Sequence, residues 1–202
     1  SLNEVDLQDY SDSLLYIFEQ NQRGNYYTKT LQEIKYKSTV IKIFNQKVLK
    51  RDERIKKINQ VENPFNDKKN FGNPNQSMQA EVDRYRRFLI GLLSFEDEPQ
   101  TTYNCLKALL HDSIQPSYAS NMLNARFKII EKEFQRDDKR YLEAYKNAIE
   151  EWENYSKLFL NHILDKYEYL LLLEGYQIIN NSEKFLKYWN QIPEYLQKDL
   201  DV

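Results

Sequence analysis

Glycine and proline are scarce, four and five residues in a chain of 202. A β-sandwich needs a turn every few residues, so the scarcity of turn formers argues for a few long helical elements. The single cysteine, Cys105, excludes an intramolecular disulfide framework and fits a reducing compartment. Long apolar runs are missing as well. The longest, Phe88–Leu93 and Tyr169–Leu173, fall far short of the ~18–20 residues that cross a bilayer. Residues 1–10 are acidic and polar, unlike the basic-then-apolar start of a secretory signal. The expected location is intracellular: cytoplasmic, or peripheral to a membrane.

Histidine occurs only as His111 and His162, and neither has a His, Cys or Glu at helical metal-binding spacing. Glycine-rich phosphate loops, Gly-x-Ser-x-Gly elbows, Glu-x-x-His pairs and cysteine pairs do not occur. The expectation is a protein without metal or cofactor and without enzymatic activity. Acidic runs at Glu96–Glu98, Asp137–Asp138 and Glu150–Glu153 lack the glycine of a calcium loop and read as solvated faces.

Aromatic residues are plentiful, with 16 Tyr and 10 Phe, beside a charged fraction of 30% and a net charge of −2. That many aromatics argue against disorder. The near-neutral balance gives no bulk attraction to nucleic acid.

Apolar residues at steps of three and four predict helices over about 4–20 (or 11–20), 26–61, 78–95, 101–111 and 182–191, with a short one starting at Ile192–Pro193. Residues 62–77 carry Pro64, Gly72, Pro74 and five Asn and predict a flexible loop. Ser117–Glu174 contains neither Gly nor Pro and predicts one long helix, about 85 Å at the usual rise per residue. Ser117 or Ser120 is the expected N-terminal cap and Gly175 the expected C-terminal one. The stripe Leu123, Phe127, Ile130, Phe134 is interrupted at Asp137–Asp138 and resumes at Tyr141 with a register slip, so a bend is expected within 135–140. The fold class is therefore all-α. The sequence predicts an elongated helical bundle or antiparallel coiled coil dominated by residues 117–174, in a single domain spanning 1–202.

Two surfaces stand out. The stripe Tyr141, Tyr145, Trp152, Tyr155 and Phe159 has core spacing and is the expected packing surface, in cis on the 26–61 helix and in trans on a protein partner or a second copy. Between Lys29 and Lys57 ten basic residues face three acidic ones. Within this run Lys42, Lys47, Lys50, Arg51 and Arg54 are candidates for an anionic membrane surface, with nucleic acid ranked below it. The competing reading is a solvated helix face paired with the acidic helix expected at residues 4–19. Asn63-Pro64-Phe65 matches the short peptide read by EH domains, against the plainer reading of a turn.

Trp152-Glu153, Phe159, Ile163 and Tyr167, followed by Lys187-Tyr188-Trp189, resemble the last helix of sorting-nexin BAR domains. That resemblance implies a membrane-binding bundle, although a BAR domain has three long helices and this chain breaks at Pro99. Tyr85-x-Arg87, Leu93-Ser94 and Tyr103-Asn104 are similar to a segment of phage abortive-infection proteins, which implies a helical defence or toxin component. No residue role follows from either. The leading expectation is a non-enzymatic interaction or scaffold module, part of a homo-oligomer or larger complex. The alternatives are a BAR-like membrane module using residues 29–57 and a phage-defence component.

Overall fold

The computed structural model describes residues 25–66, 76–159 and 162–193. Among them the chain is all-α. It packs as two compact units, residues 1–94 and 95–202. The helix expected within residues 4–20 and the short one after Pro193 lie outside the described residues.

Unit 1 contains α1 (Asn25–Phe44), α2 (Arg51–Gln60) and α3 (Gln76–Leu93). The single helix expected over 26–61 is thus two helices joined by residues 45–50. The joint closes on itself: the Gln46 N–H donates to the Ile43 carbonyl at 3.1 Å, and that of Leu49 to the Gln46 carbonyl at 3.0 Å. The apolar rhythm runs across the joint because Ile41 and Phe44 before it, and Ile55 and Ile58 after it, belong to one core. Periodicity records which side is buried and is blind to a turn that keeps the same side inward.

Tyr36, Val40, Ile58, Val82, Leu89 and Leu93 form that core together with Phe65 from the connection after α2. The start of the expected flexible loop is therefore anchored. Asn63 accepts from the Phe65 N–H at 3.0 Å, and its amide donates to the Gln79 carbonyl at 3.2 Å and to Asp83 at 3.1 Å. Phe65 is 1% exposed. The Asn-Pro-Phe triplet is a turn that drives its Phe into the core, which overturns the EH-peptide reading: a ligand motif needs that ring outside.

Unit 2 contains α4 (Pro99–Asp112), α5 (Pro116–Glu133), α6 (Lys139–Ser156), α7 (Lys166–Ile178) and α8 (Ser182–Trp189). Pro99 and Pro116 each open a helix, where the missing N–H costs nothing. The stretch 117–174 is three helices, not one. The first break falls at 134–138, overlapping the bend expected within 135–140. Asp138 caps α6, its carboxylate accepting from the Arg140 N–H at 2.8 Å. The second break, at 157–165, has no Gly, no Pro and no gap in the apolar stripe. There Asp165 caps α7 by accepting from the Glu168 N–H at 2.9 Å, and Glu168 returns the bond to the Asp165 N–H at 3.0 Å. This reciprocal box satisfies two orphan donors and stabilises a helix start where the stripe alone reads as helix interior.

Gly175 does not cap α7; it lies inside it. A Cβ there would meet Ile149 Cδ1 at 2.8 Å and Phe127 Cζ at 2.9 Å, so the missing side chain lets α7 approach α5 and α6 closely. The helix is ended by Asn180, whose φ of 54° is left-handed, a conformation Asn adopts more readily than most residues. Ser120 is not a cap either, because α5 starts after Gln115 with no side-chain cap.

Candidate functional site

The α6–α7 connection of unit 2 is held by a buried carboxylate. Glu168 is the third residue of α7 and is 4% exposed. Its Oε1 accepts from the Ser120 hydroxyl of α5 at 2.6 Å. Its Oε2 lies 2.7 Å from His162 Nε2 and accepts from the Asp165 N–H. Trp152 Nε1 of α6 reaches the Ser120 oxygen at 3.5 Å. The Phe159 ring stands edge-on to both Trp152 and His162, with centroids 6.4 and 5.6 Å away. One carboxylate therefore ties α5, the connection and α7 together. A buried carboxylate is costly unless its lone pairs are filled, and here both oxygens have partners.

Ser, His and Glu together invite comparison with a hydrolase triad. The order is wrong for one: the acid sits between serine and histidine, whereas nucleophile activation needs the histidine between serine and acid. The arrangement positions chain: the Ser120 hydroxyl donates to the Glu168 carboxylate, and no histidine is aligned to take its proton. His162 is the half-buried, packed histidine that its place beside the apolar seam suggests, and His111 is exposed.

Two further networks join the helices of unit 2. Glu153 of α6 accepts from the Tyr176 hydroxyl of α7 and from Lys184 of α8 at 2.5 Å. Burial raises the Glu153 carboxyl, but the hydrogen bonds from Lys184 and Tyr176 outweigh it and hold the group below the ordinary carboxylate value. The same burial, with Glu153 beside it, pushes the Tyr176 hydroxyl far up. Tyr103 and Lys107 of α4 both donate to Glu151 of α6, at 2.9 and 2.8 Å.

Outside these ties the connection exposes apolar surface. Ile163 is 81% exposed, and Leu158, Tyr167 and Leu170 are exposed too. Tyr167 and Leu170 share the outer face of α7, one turn apart.

The expected partner-packing stripe lies mostly inside unit 2. Tyr141, Tyr145 and Trp152 are buried: the Tyr145 ring packs tilted at 34° against Phe127 of α5, centroids 4.5 Å apart, and contacts Tyr141 at 4.9 Å. Their packing partner is this chain, which corrects their assignment to another. Tyr155 and Phe159 are half-buried at the end of α6 and in the connection. In unit 1, Lys42, Lys47 and Lys50 are exposed. Arg51 is half-buried with Nε 3.3 Å from Asp52. Arg54 leaves the candidate surface, because its Nη1 donates to the Phe44 carbonyl at 2.9 Å and closes the end of α1. The sequence reasoning passed over Glu168 and Asp165 and took Ser120 only for a helix cap. Asp165-x-x-Glu168 carries a readable capping-box signal, whereas nothing local marks Ser120 as their partner.

Among the described residues no group of three or more His, Cys, Asp or Glu is placed to hold a metal ion. No described helix is long and apolar enough to cross a membrane. Fold and site define an all-α protein of two helical units whose best-built polar cluster positions a connection. No protein-family model matches the chain, and neither a curated protein nor a solved structure does.

Proposed function

We propose that the chain is a non-enzymatic interaction module that self-associates through the apolar face around the α6–α7 connection. The supporting observation is Ile163 standing 81% exposed, in one stretch of chain with Leu158, Tyr167 and Leu170. Apolar surface left in water forgoes about 25 cal/mol per Å², and exposed apolar patches commonly mark contact sites. The buried Glu168 cluster supports the reading physically. It ties His162 and Asp165 to α5 and the start of α7, so less conformational entropy remains to be lost there on association.

Sedimentation velocity over a concentration series tests the proposal. The native chain is expected to form a dimer or higher oligomer that Ile163→Glu with Leu170→Glu converts to monomer without changing the helical circular dichroism. A native chain that stays monomeric throughout overturns it.

A further inference from the structure

The joint between α1 and α2 departs from ordinary turn chemistry. Turns favour Gly, Pro, Asn, Asp and Ser, yet this one presents Val48, 94% exposed, between Lys47 and Lys50. Those lysines and Lys42, near the end of α1, are exposed, as are Lys56 and Lys57 on α2. Among the described residues none of these five lysines has an ion-pair partner. The nearby acids are Asp52, which faces Arg51, and Glu53, which accepts from the Lys50 N–H at 3.3 Å. The joint is also braced. Its backbone bonds close within residues 41–49, and Arg54 ties α2 to the last carbonyl of α1.

From these features we infer that the α1–α2 joint of unit 1 is a contact site for anionic phospholipid bilayers, with Val48 entering the headgroup boundary and Lys42, Lys47 and Lys50 facing the lipid phosphates. The charge is complementary. Residues 29–57 hold ten basic side chains against three acidic ones, in a chain whose net charge is −2. A phosphate-binding surface for nucleic acid needs the lysines alone. The wet aliphatic side chain at the apex favours lipid, because burying it in a bilayer is favourable and burying it against a phosphate backbone is not. The site lies in a different unit from the self-association face and stands or falls independently of it.

Co-sedimentation of the full chain with phosphatidylserine-containing and pure phosphatidylcholine vesicles tests the inference. Binding to the anionic vesicles only, weakening as salt rises, is expected. Lys42→Gln, Lys47→Gln and Lys50→Gln together should weaken binding about 100-fold, at about five-fold for each charge lost near the surface. Val48→Asn should weaken it several-fold and Val48→Leu strengthen it about three- to four-fold, the gain from one more buried methylene. Val48 contacts little of its own unit, so these variants keep the fold, as circular dichroism will register. Equal binding to neutral vesicles, or no binding, overturns the proposal. So does indifference to both Val48 changes, and so does a duplex DNA fragment that binds the joint more tightly than the anionic vesicles.

Discussion

The two breaks in the stretch 117–174 are closed by opposite means. At 134–138 the turn itself is held by a local bond, Asp138 to the Arg140 N–H and guanidinium. The helices on either side are joined by aromatic packing, Phe127 against Tyr145. At 157–165 the closure is polar. Glu168 gathers Ser120, His162 and the Asp165 N–H, and Glu153 gathers Tyr176 and Lys184. An apolar seam tolerates a solvated turn beside it. A buried polar closure requires every partner to be present, since one unfilled lone pair costs more than one lost contact.

The first way to break this contrast is Tyr145→Ala. It removes a fully buried ring and is expected to cost unit 2 about 4 kcal/mol, measured by urea denaturation. A loss under about 1 kcal/mol would mean that the aromatic seam does not hold α5 to α6. Glu168→Ala comes next at about 3 kcal/mol, because it leaves a cavity, takes the acceptor from the Asp165 N–H and the partner from His162, and leaves the Ser120 hydroxyl only the Pro116 carbonyl at 3.0 Å. Glu168→Gln should recover part of this, keeping an acceptor for Ser120. If Gln is no better than Ala, the closure is a matter of the carboxylate charge, not of volume or of an acceptor for Ser120.

Glu153 separates the two closures by pH. Its carboxyl lies below the ordinary value of 4.5 in the folded chain. Its contribution is therefore fully present above that value and is lost as pH falls below it toward the folded one. Glu153→Gln is expected to cost about 1 kcal/mol at neutral pH, kept modest by the partial exposure of Lys184. It should also flatten this part of the acid dependence in a series of denaturation curves from neutral pH down through the carboxylate range. An unchanged acid limb would remove Glu153 from the account. Asp138→Ala should have the smallest effect, the loss of a solvent-exposed cap, and one insensitive to pH above the carboxylate range. A loss as large as that of Glu168→Ala would erase the contrast between the breaks.

How far the breaks were legible follows from the same contrast. The first interrupts the apolar stripe with Asp137 and Asp138, so a one-dimensional pattern registers it. The second lies inside an unbroken stripe, and only the capping-box spacing of Asp165 and Glu168 marks it. Periodicity also led to reading Tyr141, Tyr145 and Trp152 as a surface for a partner. A buried face has the same rhythm whether its cover is the same chain or another. Arg54 shows the converse: its charge counts toward a basic surface, while its guanidinium is engaged by the end of α1.

By itself the amino-acid sequence determined the all-α class, the presence of an apolar face on each described stretch, and the bend near 135–140. Those follow from local propensity and a 3.6-residue rhythm. Only the tertiary structure decided that Phe65 is core, that Gly175 is a packing contact and not a cap, and that Glu168 meets Ser120, 48 residues away. Burial and hydrogen-bond partnership are relations between distant segments, and they exist only once helices have chosen their neighbours.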